Sequence, residues 1–288
     1  MARTPRIRIA RITQDWRPRA GRLREFVSVQ TLPTPTLALL KSENDSFVAR
    51  AVLEGVPVVV KWRALVSLAD RTKALMGASR AFRQWRGARR LARGGIPAAR
   101  PLALLLQAGA SHAGEWLVLE EAPGETVLHA LATDRLSPRD QHALARAVGV
   151  QVGAMLRAGL CNRDHKPSNL IVEFEGADGA RVPILTLIDT VAIRRRSNPG
   201  EMVRMLATLL IETIGVGVAP RGAIAFRVLR DACAAWLEGT LGRPLGSHPG
   251  DRKALRALVR STARRVDQYI QTHGDPTPKV DPLKRPVS

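Results

Sequence analysis

The sequence predicts an α+β fold in which a small antiparallel sheet precedes a mainly helical second half. Short apolar runs separated by turn residues recur between residues 37 and 121. Beyond that point, apolar residues recur at helical spacing over long stretches. The 288 residues are 45% hydrophobic and 24% charged, a composition that supports a sizeable core and argues against wholesale disorder.

The expected organisation is two lobes with an extension at either end. Residues 1–36 are Arg-rich and are predicted to be a basic N-terminal extension, and residues 37–121 are predicted to form the first lobe. Residues 122–275 are predicted to form the helical second lobe, after a break at Glu120–Gly124. Residues 276–288 contain proline and lysine and are expected to be a loose tail.

Three strands are predicted at the start of the first lobe. The runs Leu37–Leu40 and Phe47–Leu53 flank the turn-rich segment Lys41–Ser46, a pattern typical of an antiparallel hairpin. Val56–Trp62 is β-branched and apolar, which predicts a third strand. Lys61 is therefore placed inside a sheet, although a lone strand lysine is usually a solvated edge residue.

A basic helix is expected next, because residues 70–92 contain few β-branched side chains and carry apolar residues near helical spacing. The segment Gly94–Pro97 ends that pattern. Two further strands are predicted at Pro101–Leu106 and Trp116–Leu119.

The second lobe opens with a well-marked helix. Ser137 is suited to cap it, Pro138 fits its first position, and apolar residues then continue at helical spacing. The runs Leu170–Val172 and Ile184–Ile188 flank a glycine-containing turn and predict a second hairpin. Residues 201–270 are expected to be largely helical.

The charge of the chain is strongly positive. Lysine and arginine outnumber aspartate and glutamate by 45 to 25, which gives a formal net charge of +20. An anionic partner is expected, and charge alone leaves nucleic acid, an acidic membrane surface and a phosphorylated glycolipid open. A solvated basic surface without a partner is the alternative.

Cysteine content and hydropathy indicate the compartment. The two cysteines, Cys161 and Cys233, are too few for a disulfide framework and suggest a reducing compartment. The sequence contains no run of about 18 apolar residues, so no membrane-spanning helix is predicted. A cytoplasmic protein, at most peripheral to a membrane, is expected.

The most informative segment is Asn162–Val172, a polar loop between the capped helix and a short strand. Its Asp164, Lys166 and Asn169 have the order and spacing of the catalytic loop of protein kinases, which the segment resembles. An aspartate, a lysine and an asparagine in a polar loop are a weak signal by themselves, since such residues more often form a turn. The order of the surrounding elements favours the functional interpretation.

Phosphoryl transfer explains why these residue types occur together. The reaction needs a carboxylate that orients the attacking hydroxyl and accepts its proton, a cation beside the phosphoryl group, and oxygen ligands for Mg²⁺. The resemblance assigns these roles to Asp164 as base, Lys166 as cation, and Asn169 with Asp189 as metal ligands. Asp189 follows the second hairpin, whose strands are expected to bring it back towards Asn169.

The resemblance extends to the first lobe and implies an ATP site there. Lys61 takes the place of the strand lysine that holds the α- and β-phosphates. Glu120 to Ala122 take the place of the hinge, whose backbone groups would bind adenine.

The first lobe also departs from the protein-kinase pattern. The hairpin Leu40–Ala51 lacks a Gly-rich loop, and Asn162 replaces the histidine that usually precedes Arg-Asp. No glutamate occurs from Trp62 to Gly114, so Gln84 is the best candidate for the partner of Lys61. Because an amide accepts a hydrogen bond from lysine but cannot neutralise it, weaker ATP binding or turnover is expected.

Among kinase-like proteins, the sequence resembles the bacterial lipopolysaccharide kinase family, which phosphorylates heptose or Kdo sugars. The resemblance is carried by Phe82–Trp85, Gly95–Ala103, the catalytic loop and Leu187–Asp189. It implies a two-lobed, protein-kinase-like fold, ATP and Mg²⁺ as cofactors, and an anionic lipopolysaccharide-core substrate. Peripheral contact with the inner membrane fits this interpretation better than nucleic-acid binding does.

Other functions stay open at this point. A phosphotransferase acting on protein or another small hydroxylated substrate would keep the same catalytic residues. A catalytically silent, kinase-shaped binding protein is the second alternative, favoured by Gln84 and by the missing Gly-rich loop. The presence of Asp164, Asn169 and Asp189 argues against a silent protein, because a binding protein without catalytic activity gains nothing from three oxygen-bearing side chains that converge on a metal ion.

Overall fold

A computed structural model describes residues 6–29, 37–109, 113–133, 135–176, 181–218 and 220–274. The chain divides into two compact units. Of the described residues, the first unit contains 6–89 and 99–122, and the second contains 90–98 and 123–274. The expected tail, residues 276–288, lies outside the described residues.

The first unit is built on a six-stranded antiparallel sheet with the strand order β1-β5-β6-β4-β3-β2. The strands are β1 (Arg6–Ile12), β2 (Ala38–Glu43), β3 (Ser46–Leu53), β4 (Val56–Ala64), β5 (Pro101–Ala108) and β6 (Gly114–Glu120). A 3-10 helix spans Gln14–Arg19, and the α-helices are α1 (Ala20–Val29), α2 (Leu68–Leu75) and α3 (Arg80–Arg93), whose last four residues are in the second unit.

The predicted strands of this sheet are present, with two differences. Strands β2 and β3 continue through most of the expected turn segment, so that only Asn44 and Asp45 join them. Residues 6–12, expected to belong to a basic extension, form an edge strand paired with β5. The alternation of the sequence explains this strand, because Ile7 and Ile9 pack against the core while Arg6 and Arg8 face solvent.

The sheet of the first unit is covered on both faces. Trp16, Phe47 and Trp116 belong to the core on one face, whereas Phe82 and Trp85 of α3 pack on the other. Strands β5 and β6 are buried along almost their whole length as a result. Strand β4, which carries Lys61, lies between β3 and β6 in the interior of this sheet and not at its edge.

The second unit is mainly helical, as expected, and contains two small antiparallel sheets with the orders β10-β9-β7 and β11-β8. The strands are β7 (Glu125–Thr126), β8 (Leu160–Asn162), β9 (Leu170–Glu175), β10 (Val182–Leu187) and β11 (Ile193–Arg195). The helices are α4 (Val127–Ala132), α5 (Pro138–Arg157), α6 (Pro199–Gly215), α7 (Gly222–Leu241) and α8 (Asp251–His273). None of the described helices is long and apolar enough to cross a membrane.

Helix α5 is the central element of the second unit. The predicted cap is confirmed, since the Ser137 hydroxyl accepts a 3.1 Å hydrogen bond from the Asp140 N–H. The buried face of α5, which includes Val152 and Met155, packs into the main core. Its glycines allow α7 to approach closely, because a Cβ on Gly153 would lie 2.5 Å from the Ala235 Cβ.

This close approach predicts that Gly153→Ala destabilises the second unit. The added methyl group would also lie 2.9 Å from the Ala232 carbonyl oxygen, so α5 and α7 must move apart. We expect a loss of about 1–3 kcal/mol in the free energy of unfolding, measured by urea denaturation. Gly222→Ala in α7 is the control, because nothing lies within 4 Å of a Cβ there. Equal effects of the two substitutions would contradict this packing argument.

Candidate active site

The candidate catalytic loop joins β8 to β9, and its backbone is held at both ends. The fully buried Asn162 accepts a 3.1 Å hydrogen bond from the Asp164 N–H through its side-chain oxygen. At the other end, the Asn169 N–H donates to the Lys166 carbonyl at 3.0 Å. Asn162, which replaces the expected histidine, therefore fixes the position of Asp164.

The structure brings together the three predicted loop residues. Lys166 Nζ lies 2.8 Å from Asp164 Oδ1, and Asn169 Nδ2 donates to Asp164 Oδ2 at 3.2 Å. The same amide group donates to the Asp164 main-chain carbonyl at 3.0 Å. The side chains of Asp164 and Lys166 are 39% and 40% exposed, so both are accessible from solvent while their orientation is set by each other.

The environment favours the charged form of Lys166. Partial burial would lower the pKa of this ammonium group, but the hydrogen bond and the charge of Asp164 outweigh that effect, aided by Glu212 and Asp189. The pKa of Lys166 is therefore raised, and the residue is a cation at neutral pH.

Asp189 is carried to the loop by the hairpin of β9 and β10, as predicted. Leu187 pairs with Leu170, and the Ile188 N–H donates to the Asn169 carbonyl at 3.0 Å. The Asp189 carboxylate accepts a 3.1 Å hydrogen bond from the Val191 N–H, which orients it. An amide oxygen from Asn169 and a carboxylate from Asp189 are the hard oxygen donors that suit Mg²⁺.

These two oxygen donors do not form a self-sufficient metal cage. The described part of the chain contains no group of three or more His, Cys, Asp or Glu side chains that could hold a metal ion. Mg²⁺ is commonly held by one or two carboxylates together with substrate phosphates and waters, and the donors of the loop match that mode.

The sequence interpretation missed an anchor of the loop, Glu212 of α6. Its Oε1 accepts a 2.6 Å hydrogen bond from the Ser168 hydroxyl, and its Oε2 accepts a 2.8 Å bond from the Ser168 N–H. The sequence signal for it was a carboxylate directly after the apolar run Leu209–Ile211, where an unpaired charge would be costly. The pairing holds the loop against α6.

A second missed carboxylate, Glu201, holds Arg163 of the loop. Its Oε1 lies 3.4 Å from Arg163 Nη2 and 3.3 Å from Arg196 Nη1. Burial would raise the pKa of Glu201, but the two arginines hold it below its usual value. Burial, with the nearby negative charge of Glu201, raises the pKa of Cys161 to about 11, so this thiol is not a nucleophile at neutral pH.

The predicted nucleotide-binding residues of the first unit lie on β4, α3 and the end of β6. Lys61 of β4 pairs with Leu117 of β6 and is half-buried, and Gln84 of α3 is 3% exposed. Glu115, just beyond the glutamate-free segment, is also buried and accepts a 3.2 Å hydrogen bond from the Ala81 N–H. Because alternate residues of a strand share a face, Glu115 lies on the same face of the sheet as Lys61.

Glu120 to Ala122 end the first unit as a continuation of β6. The Glu120 N–H donates to the Arg100 carbonyl at 2.9 Å, and the Glu121 N–H donates to the Pro57 carbonyl at 3.2 Å. The Glu120 carboxylate accepts a 2.7 Å hydrogen bond from Arg100 Nε. These two N–H groups are used by the sheet, so of this segment the carbonyl oxygens and the Ala122 N–H are the backbone groups that could bind adenine.

Comparisons with known proteins agree with the resemblance found in the sequence. Residues 65–206 match the model of the "Lipopolysaccharide kinase (Kdo/WaaP) family". A solved structure described as "WaaP in complex with acyl carrier protein" has a similar fold, with a TM-score of 0.56 at 21% identity, over 91% of this chain and 98% of that chain. No curated protein matches the chain. The matched region contains the candidate catalytic loop, Gln84 and Asp189, but it begins after Lys61.

His165 predicts a pH dependence of stability. It is fully buried, and desolvation lowers its pKa from 6.5 to about 4. At a pH between these two pKa values, the imidazole binds a proton in the unfolded chain but not in the folded chain. The free energy of unfolding therefore falls as the pH falls, by about 3 kcal/mol over this pH range.

We therefore expect His165→Leu to reduce the difference in unfolding free energy between pH 7.5 and pH 5, measured by urea denaturation. The exposed His142 of α5 provides the control substitution, His142→Leu, which should leave the difference unchanged. The interpretation of His165 fails if its replacement leaves the pH dependence of the parent protein intact.

Proposed function

We propose, from the similarity of residues 65–206 to the lipopolysaccharide kinase (Kdo/WaaP) family, that the chain phosphorylates a hydroxyl of a lipopolysaccharide-core sugar with ATP and Mg²⁺. Kdo and heptose are the proposed acceptor sugars, at the cytoplasmic face of the inner membrane. The observation that carries the proposal is the convergence of Lys166 and Asn169 on the Asp164 carboxylate, at 2.8 and 3.2 Å.

Asp164 is the proposed base. Its carboxylate orients the acceptor hydroxyl and takes its proton as the new bond forms between the hydroxyl oxygen and the γ-phosphorus. The bond from that phosphorus to the bridging oxygen breaks, and ADP leaves with the electron pair. Asn162 and Asn169 support this role, because they hold the main chain and the carboxylate of Asp164.

Lys166 supplies a positive charge beside the transferring phosphoryl group. The raised pKa keeps the ammonium group protonated, so that it can stabilise the negative charge of the transition state. Asn169 and Asp189 would hold Mg²⁺, which neutralises phosphate charge when bound. Glu212 keeps the loop in place through Ser168 and does not itself need to meet the substrate.

The first unit is proposed to bind the nucleotide. Lys61 would contact the α- and β-phosphates, with Gln84 as its neighbour, and Glu120 to Ala122 would bind adenine through their backbone groups. The formal charge of +20 suits an anionic glycolipid substrate and peripheral contact with an anionic membrane.

The role of Asp164 predicts that Asp164→Asn lowers turnover by about 10²- to 10⁴-fold, because the amide cannot accept the proton. ATP binding should remain nearly intact, whereas Asp189→Ala should weaken binding of Mg²⁺-ATP. Turnover is measured by phosphate transfer to purified lipopolysaccharide core, and binding is measured by calorimetric titration with ATP. Glu175→Gln, at the exposed end of β9, removes a charge from the same hairpin and should change neither quantity. Full turnover by Asp164→Asn would refute its role as base.

The polar residues near Lys61 predict a measurable coupling. Gln84→Glu should raise ATP affinity or turnover, since a charge-assisted hydrogen bond is roughly twice as strong as a neutral one. Lys61→Ala should lower both. A double-mutant cycle of Lys61→Ala with Gln84→Glu is compared with a second cycle that uses Glu115→Gln.

The two cycles separate the possible partners of Lys61. Coupling to Gln84 alone supports the partner proposed from the sequence, and coupling to Glu115 alone transfers that role to the buried carboxylate of β6. The absence of ATP binding in every variant would favour the catalytically silent binding protein.

A further inference from the structure

A basic pocket lies in the second unit, and none of the proposed catalytic or metal-binding residues lines it. We call it the arginine pocket, and its volume is about 750 Å³. Its guanidinium groups come from the end of α3, the end of α5 and the end of β11. They belong to Arg90, Arg93, Arg157 and Arg195.

Small residues at two helix ends give the pocket its space. Helices α3 and α5 are both followed by a glycine in the left-handed conformation, Gly95 with φ of 69° and Gly159 with φ of 70°. The two ends come close together, since a Cβ on Gly94 would lie 2.9 Å from the Ala158 Cβ. Arg195 is brought to the same place by the pairing of β11 with Leu160 of β8.

The charge of the pocket is not balanced by its lining. No carboxylate lines it, and in the described ranges no acidic side chain forms an ion pair with Arg93 or Arg195. The neighbouring Arg163 and Arg196 differ, because both pair with Glu201. Arg157 is partly engaged, since its Nη1 donates to the Ala235 carbonyl at 2.7 Å.

The helix ends do not cancel this charge. Each carries roughly −0.5 of an elementary charge from the helix dipole, against the three full positive charges of Arg93, Arg157 and Arg195, which leaves about +2. The last turns are also capped internally, since the Ile96 N–H donates to the Leu91 carbonyl and the Gly159 N–H to the Leu156 carbonyl. Like charges around one concavity repel one another until an anion enters.

We propose that the arginine pocket binds a phosphate-bearing anion, a phosphomonoester or a diphosphate group. Guanidinium forks match phosphate oxygens in pairs, and a tetrahedral dianion can accept from several forks at once, which a planar carboxylate does less well. The group can come from a soluble phosphorylated compound or from a lipid headgroup. The site is independent of the proposed kinase activity, because the two share no residue.

The test is calorimetric titration of the full-length protein with inorganic pyrophosphate in EDTA, together with sedimentation with phosphatidylcholine vesicles that contain or lack phosphatidic acid. The test variant is Arg93→Gln/Arg195→Gln, two exposed positions whose replacement should not disturb folding. Arg83→Gln/Arg86→Gln is the control, because it removes the same charge from exposed positions of α3 that do not line the pocket.

We expect the test variant to bind at least about 10-fold more weakly than the parent protein, and the control to stay within about 2-fold. Such a loss with pyrophosphate assigns the site to soluble anions, and a loss confined to vesicles with phosphatidic acid assigns it to a lipid headgroup. Either result supports the pocket.

Four outcomes would overturn the proposal. Equal weakening in both variants would show attraction by net charge alone, and unchanged affinity in the test variant would place the anion elsewhere on the molecule. Failure of every probe to bind the parent protein, or tighter binding of a single-stranded oligonucleotide than of any phosphate probe, would also exclude it.

Discussion

The antiparallel pairing of β9 with β10 is the interaction on which the candidate active site depends. Leu170 and Leu187 face each other across this pair, and both are fully buried in the core of the second unit. The hydrophobic effect thus fixes the register, because a slip of one residue would turn these side chains outwards. Asn169 precedes the first of these leucines and Asp189 follows the second by two residues. The same register that buries the leucines therefore places the polar residues at one end of the hairpin.

The polar residues of the loop need more than this hairpin. Asp164 and Asp189 are like charges, and Lys166, with its raised pKa, is the cation that offsets their repulsion. Helix α6 contributes two carboxylates, Glu201 against Arg163 and Glu212 against Ser168. Removing Arg163 or Ser168 would leave a partly desolvated carboxylate without this partner, which is destabilising. The loop is therefore held by polar contacts to a helix as well as by its own strands.

The arginines that give the chain its net charge of +20 fall into two groups with different surroundings. Some arginines are structural, since Arg243 pairs with Asp251 at 2.6 Å and Asp231 accepts from both Arg227 and Arg230. Those of the arginine pocket converge, and no described carboxylate lines that pocket. The difference lies in placement, which composition does not report.

The sequence by itself determined what depends on neighbours along the chain. Periodicity, capping and turn chemistry are local, so they predicted most strands of the first unit, the Ser137 cap and the second hairpin. The spacing of Asp164, Lys166 and Asn169 is visible in the sequence directly. The edge strand at residues 6–12 was not predicted, because the arginine content of this segment indicated a basic extension and the alternation of its isoleucines was overlooked. Only the tertiary structure decided that Glu212 holds Ser168 and that Arg195 lies near Arg93. Such contacts join distant segments, and they arise from how helices and strands pack against one another, which no local pattern records.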